Sequence, residues 1–233
     1  MKRITIIIPV LNEEKLLPHL LDQLAKMPEF KVLVIDGGST DQTIEIAKKY
    51  PVEIAVSPLS GRSVQMNFGA ALATESDFLL FLHADIHLPN NFSRQLKQFM
   101  ERGGQLANFR LAFDHSHWFL KVNAFFTRFR ANCFQFGDQG LLISEKLFRQ
   151  IGGYDANRSL IEGQEILSRA RKNAKFEKLD ATLLVSARKY LRFGIFYLQF
   201  CYFVIYLMDR LGFSDEDLKK MLEVLLKKAE KKS

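Results

Sequence analysis

The sequence predicts an α/β fold, a mostly parallel, Rossmann-like sheet flanked by helices, with further helices at the C-terminal end. Three observations predict it. Strand-like and helix-like segments alternate through the first 85 residues. The opening run at residues 3–8 is β-branched almost throughout, as expected of a strand covered on both faces. The 233 residues, 48% hydrophobic and 25% charged, are enough to bury a substantial core within one α/β domain.

The elements follow in order. After the first strand, Asn12 is placed to cap a helix, with Glu13 and Glu14 in a first turn where carboxylates suit the dipole. Leu16, Leu17, Leu20, Leu21 and Leu24 then recur at helical spacing. Residues 31–35 read as a second strand, and Gly37-Gly38-Ser39-Thr40 as a turn into a helix. Residues 52–56 read as a third strand, 61–73 as a helix with small residues along one side, and 77–82 as a fourth strand. Beyond Pro89 a helix is expected over 91–101 and a strand over 105–113. Trp118, Val122, Phe125, Phe126 and Phe129 trace one face of another helix. A strand at 140–144, helices at 145–150 and 163–173, a short last strand closed by Val185 and two C-terminal helices complete the reading. No repeat or low-complexity linker interrupts it. One domain is expected over 1–233, with a nucleotide half (1–88), an acceptor half (89–190) and C-terminal helices (191–233).

The net charge of +7 suits an anionic partner: a nucleotide diphosphate, an anionic membrane surface or nucleic acid. Part of the excess lies in the lysine-rich stretch 219–232, which reads as a solvated helix face, and nucleic acid is not taken as the partner. Cys133 and Cys201 have no CxxC spacing and no nearby histidine, so they read as small buried hydrophobes of a reducing compartment. Thr5, Pro9 and Asn12 break the first apolar run too early for a secretory signal. No stretch reaches the roughly 20 apolar residues that span a bilayer. A cytoplasmic protein is expected, with an inner-membrane surface as its peripheral alternative. That alternative rests on residues 195–208, which carry Phe196, Tyr197, Phe200, Tyr202, Phe203 and Tyr206. Two readings stay open for them. One is a helix packed on the core or on another subunit; the other is an interfacial helix serving a lipid-linked acceptor, assisted by Arg188, Lys189, Arg192 and Arg210.

A dinucleotide fold would place GxGxxG after the first strand, where this chain has Pro9-Val10-Leu11-Asn12, and no GxxxxGK[ST] is present. Carboxylates and an arginine remain. Asp36 ends the second strand, where it can accept hydrogen bonds from a base or ribose or simply form a turn. Asp85 ends the fourth, in His83-Ala84-Asp85. Facing a diphosphate, such a carboxylate repels it unless a divalent cation intervenes, and Mg²⁺ or Mn²⁺ suits oxygen ligands and phosphates. Gly61-Arg62-Ser63 opens a helix, so free N–H groups and a guanidinium can both meet phosphate. Taken singly, Arg62 reads equally as a surface charge and His83 as a satisfied core histidine.

In order along the chain, IIIPVLNEE, VIDGGSTDQT, GRSVQMNFGAALA, FLHADIHLP, FGDQGLLIS with IGGY, LIEGQEILSRARKN and SARKY make a set. That set resembles the family 2 glycosyltransferases of GT-A fold over nearly the whole chain, above all small single-domain bacterial members sharing the FGDQG string. The resemblance implies roles. Pro9, Asn12, Glu13 and Asp36 would surround the nucleoside; Arg62, Gln65 and Asn67 would lie beside the donor. His83, Ala84 and Asp85 occupy the place of the Asp-x-Asp motif, with Asp85 binding the metal and the diphosphate. Asp138 and Gln139 would line the acceptor side, and Arg188 would reach the leaving diphosphate. Three positions depart from the pattern. Gly37 stands where many relatives have a second Asp, His83 replaces the first Asp of Asp-x-Asp, and Gly163 replaces the Asp that serves as general base. Glu162, read as a loop residue just before the helix, and Glu165, in its first turn, are the remaining base candidates.

The activity implied is inverting transfer from a nucleotide sugar, UDP-linked by default, to an acceptor hydroxyl. Two rivals stand beside it: a sugar nucleotidyltransferase, disfavoured by Asn12-Glu13-Glu14 where a Gly-rich basic loop is usual, and a lapsed relative that binds nucleotide or membrane. The sugar, the acceptor and the oligomeric state are left open.

Overall fold

The computed structural model describes residues 2–135, 137–158 and 160–230, apart from the side chains of Cys133 and Glu230. The expectations for the Cys133 side chain, for Phe136 and for the last lysines lie outside this set. In chain order the elements are β1 (Ile4–Val10), α1 (Leu17–Leu24), β2 (Lys31–Asp36), α2 (Thr43–Ala47), β3 (Glu53–Val56), α3 (Arg62–Leu72), β4 (Phe78–Phe81), β5 (Ile86–His87), α4 (Phe92–Glu101) and β6 (Leu106–Phe113). Then come α5 (Trp118–Phe126), β7 (Leu141–Ser144), α6 (Glu145–Gln150), α7 (Glu162–Ala170), β8 (Phe176–Val185), α8 (Arg188–Phe193), α9 (Ile195–Arg210) and α10 (Asp215–Glu230).

The strands form one sheet in the order β3-β2-β1-β4-β7-β6-β8-β5. The first four run parallel, β7 is antiparallel to both β4 and β6, β8 lies parallel to β6, and β5 is antiparallel to β8. Strand alternation divides the core into two layers. Ile4, Ile6, Ile8 and Val10 of β1 pack toward the leucines of α1 and Phe92, Leu96 and Phe99 of α4. Ile7 faces the other layer, with Met66 and Ala70 of α3 and Ile166, Leu167 and Ala170 of α7. The small side of α3 has a direct cause: a Cβ on Gly69 would stand 2.6 Å from Ile7 Cγ2.

Four expectations need correction. Leu16, not Asn12, is the N-cap of α1, with Pro18 in the first turn. β8 is ten residues long, not short, and its neighbour β5 has only two. Three helices, not two, follow β8. Glu162 is the first residue of α7 and not a loop residue before it.

Candidate active site

The C-terminal ends of β1, β2 and β4 lie on one edge of the sheet, where ligands of open α/β sheets bind. The loops there are fastened side chain to backbone. Asp36 is buried and turned into its own loop, accepting from Gly38 N at 3.0 Å, Ser39 N at 3.1 Å and Ser39 Oγ at 2.5 Å. Asn12 takes a left-handed backbone at φ 55°. Its Oδ1 accepts from Thr40 N at 2.8 Å, while its own N–H donates to Ser39 Oγ. This cross-link between the loops after β1 and β2 is what Asn12 does in place of capping a helix. Pro9 sits half-buried in β1, paired in register with Ile35.

Two residues of α3 face inward. Gln65 Nε2 donates to Val10 O at 2.9 Å and Ile35 O at 2.8 Å, joining the ends of β1 and β2. That amide also accounts for Gly37, because a Cβ there would stand 3.0 Å from its atoms. Asn67 exchanges two hydrogen bonds with the Tyr154 backbone, at 2.8 and 2.9 Å. Arg62 alone of the three reaches the cleft.

There Arg62 Nη1 meets Glu162 Oε1 at 2.9 Å, from the first turns of α3 and α7. Glu162 is only 3% exposed, and burial raises its pKa against the pull of Arg62. Its Oε2 has no hydrogen-bond partner among the described residues. It borders a small cavity of about 20 Å³, room for about one water, whose wall includes His83, Asn108, Tyr154 and Gly163. Asn108 Oδ1, also buried, lacks a partner among the described residues as well. Glu165 is held elsewhere, in an ion pair with Arg169 on a groove toward Tyr206 and Asp209 of α9.

His83 and Asp138 face each other at 4.0 Å. Burial first, then Arg62, pushes the His83 pKa down to about 3, so the imidazole is neutral. Ala84 is buried behind it. Asp85 is pushed up to about 6, chiefly by burial and then by Asp138 and Glu13, with Lys189 and Arg188 opposing. Arg188 is bidentate to Glu13 at 2.8 and 2.9 Å, tying the turn after β8 to the loop after β1. Asp138 sits half-exposed on a single 3₁₀ turn, residues Gly137–Gln139. Gln139 is fully buried beneath it, where its Oε1 accepts from Lys178 Nζ at 2.6 Å and Asn108 Nδ2 at 3.1 Å.

Lys178, Asn108, Gln135 and Tyr154 support this site without being expected there. Among the described residues no group of three or more His, Cys, Asp or Glu side chains is placed to hold a metal ion. The donor set suits a cation that keeps phosphate and water ligands, since Mg²⁺ is usually held by one or two carboxylates.

The chain matches the family model described as glycosyl transferase family 2 over residues 5–152. It belongs to that family. The poly(ribitol-phosphate) β-N-acetylglucosaminyltransferase TarS of Staphylococcus aureus (strain Mu50) is 33% identical over 110 residues, 43% of this chain and 19% of TarS. A PGL/p-HBAD biosynthesis glycosyltransferase of Mycobacterium bovis (strain BCG) is 38% identical over 89 residues, 35% of this chain and 34% of that protein. The chain therefore matches about a fifth to a third of the length of these relatives. The mannosyltransferase PcManGT from Pyrobaculum calidifontis, solved with GDP-Man and Mn²⁺, superposes with a TM-score of 0.68. It shares 16% identity, over 95% of this chain and 68% of that one. The fold is that of the GT-A enzymes.

Proposed function

We propose that the chain is a glycosyltransferase that moves a sugar from a nucleotide-sugar donor, UDP-linked in the default reading, to an acceptor hydroxyl with inversion. The observation that supports this most is the meeting of Asp85, the Arg62–Glu162 pair and the Arg188–Glu13 pair at the ends of β1, β2 and β4. Carboxylates crowded beside arginines suit a diphosphate with its cation. Asp85 would hold Mg²⁺ or Mn²⁺ together with the donor phosphates, an ion that when bound supplies Lewis-acid stabilisation of the leaving group. The Mn²⁺ and GDP-Man held by PcManGT support that reading.

The chain's own groups then divide the work. Pro9, Asn12, Glu13 and Asp36 shape the nucleoside side, with Asn12 and Asp36 acting by holding the two loops. Arg62 and Arg188 offer positive charge to the diphosphate as bond breaking develops negative charge on it. Glu162 accepts the proton of the acceptor hydroxyl, using an Oε2 that no donor occupies and a pKa that burial has raised toward proton uptake. Asp138 and Gln139 form the acceptor turn. A lipid-linked acceptor is the reading that the exposed aromatics of α9 favour.

One observation favours a second reading, a lapsed enzyme that only binds: Glu162 is 3% exposed and already paired. A thermal-shift panel of UDP-, GDP- and dTDP-sugars with and without Mn²⁺, followed by nucleotide release without acceptor, tests both. Mn²⁺-dependent stabilisation by one donor with slow release supports transfer. Stabilisation without release in any condition supports the lapsed reading, and no stabilisation by any donor contradicts both.

A further inference from the structure

We propose that the exposed faces of α5 and α9 form one docking surface for an anionic lipid membrane, an inference that goes beyond sugar transfer and is testable without donor or acceptor. α9 buries Leu198, Cys201 and Ile205 on one side. Its other side presents Phe196, Phe200 and Phe203, each more than half exposed. α5 buries only Leu120 and turns Trp118 (62% exposed) and Phe125 (50%) outward, with Phe129 (47%) continuing the stripe past its end. Exposed apolar residues at three- and four-residue spacing on a helix whose opposite side is buried are unusual outside interaction sites. The two stripes are continuous, because the Phe196 ring lies 4.8 Å from Phe119 and 6.1 Å from Trp118.

Charge decides the occupant. The chain has 26 acidic residues, yet none falls within 115–137 or 186–208; Asp114, Asp138 and Asp209 border these segments, and Asp209, near the end of α9, is paired with Arg158. The same segments hold Lys121, Arg128, Arg130 and Arg192, while Arg188 and Lys189 are turned to the candidate active site beside Glu13 and Asp85. A second copy would bring a like-charged patch of a +7 chain against this one, whereas an anionic leaflet attracts it. No described helix is long and apolar enough to cross a membrane. The contact therefore lies in the plane of the interface, aromatic rings at headgroup depth and cations beside the phosphates.

Co-sedimentation with vesicles of phosphatidylcholine, alone or mixed with phosphatidylglycerol, tests the proposal on the full chain. The parent is expected to bind the mixed vesicles at about 0.1 M salt, to bind phosphatidylcholine poorly, and to be weakened at about 1 M salt, where the screening length falls to about 3 Å. Phe200→Asp and Phe125→Asp should each lose binding while keeping the parental unfolding midpoint and donor-induced thermal shift. Lys121→Gln and Arg128→Gln should each weaken it about fivefold. No binding of the parent to mixed vesicles overturns the proposal. So does a dimer in sedimentation velocity that Phe200→Asp dissolves, which would make a second copy the occupant.

Discussion

Lys178 shows how much a single half-buried lysine can report. Its ammonium donates to Gln135 Oε1 at 2.8 Å, Gln139 Oε1 at 2.6 Å and Phe109 O at 3.3 Å, with no carboxylate among these partners. Burial lowers its pKa from 10.5 to about 7. Between those values the unfolded chain binds a proton that the native chain has released, so stability should rise with pH across that window, by at most about 1.4 kcal/mol per unit. Thermal unfolding of the parent and of Lys178→Met from pH 7 to 10 should show the parent gaining on the variant as pH rises; a constant difference would contradict this. The proposed base assignment is also testable at single residues. Glu162→Gln should lower transfer by about 10²–10⁴-fold with donor affinity little changed, the loss expected of a missing base. Glu165→Gln, whose carboxylate is already engaged by Arg169, should leave transfer near parental. Steady-state rates with donor-induced thermal shifts on both variants check it, and the reverse pattern would move the assignment to Glu165.

At the scale of elements, the closeness of α3 to the sheet is the feature most exposed to test. Gly69→Ala adds a methyl 2.6 Å from Ile7 and 3.0 Å from Ile35, both fully buried. Overpacking of about 1–3 kcal/mol should outweigh the roughly 1 kcal/mol that alanine gains over glycine within a helix. A lower denaturant midpoint with an unchanged slope is expected; a higher midpoint would show that α3 can move outward. In the parallel half of the sheet β1, β2 and β4 are legible from sequence because they are buried almost throughout and so read as apolar runs. β8 is much less legible: Glu177, Lys178 and Asp180 interrupt its apolar positions, and its register against β6 shifts between Asn108 and Arg110. β5 is too short to leave a pattern. Asn12 misleads for a related reason. Its placement before a helical run fits a cap, but its partner Thr40 lies 28 residues away, and no local pattern records that.

Across the molecule, the site gathers side chains from both ends of the sequence: Glu13 meets Arg188, and Arg62 meets Glu162, 100 residues apart. Strand ends and ordered motifs make Asp85, Arg62 and Glu162 legible as candidates. The roles of Gln65, Asn67 and Gln139 are not, because each amide is turned toward backbone or buried polar partners that only the folded chain supplies. The +7 charge likewise becomes informative only when the fold places the aromatic faces of α5 and α9 side by side. The central claim is that Asp85 makes nucleotide-sugar binding metal-dependent. Its most direct test is the thermal shift given by the best UDP-sugar with and without Mn²⁺, on the parent and on Asp85→Asn. A ligand at about 100 times its Kd should add about 2.7 kcal/mol to the parent with Mn²⁺. Most of this should disappear without Mn²⁺, and the variant should show little of it in either condition; an undiminished, Mn²⁺-dependent shift in Asp85→Asn would overturn the metal role of Asp85.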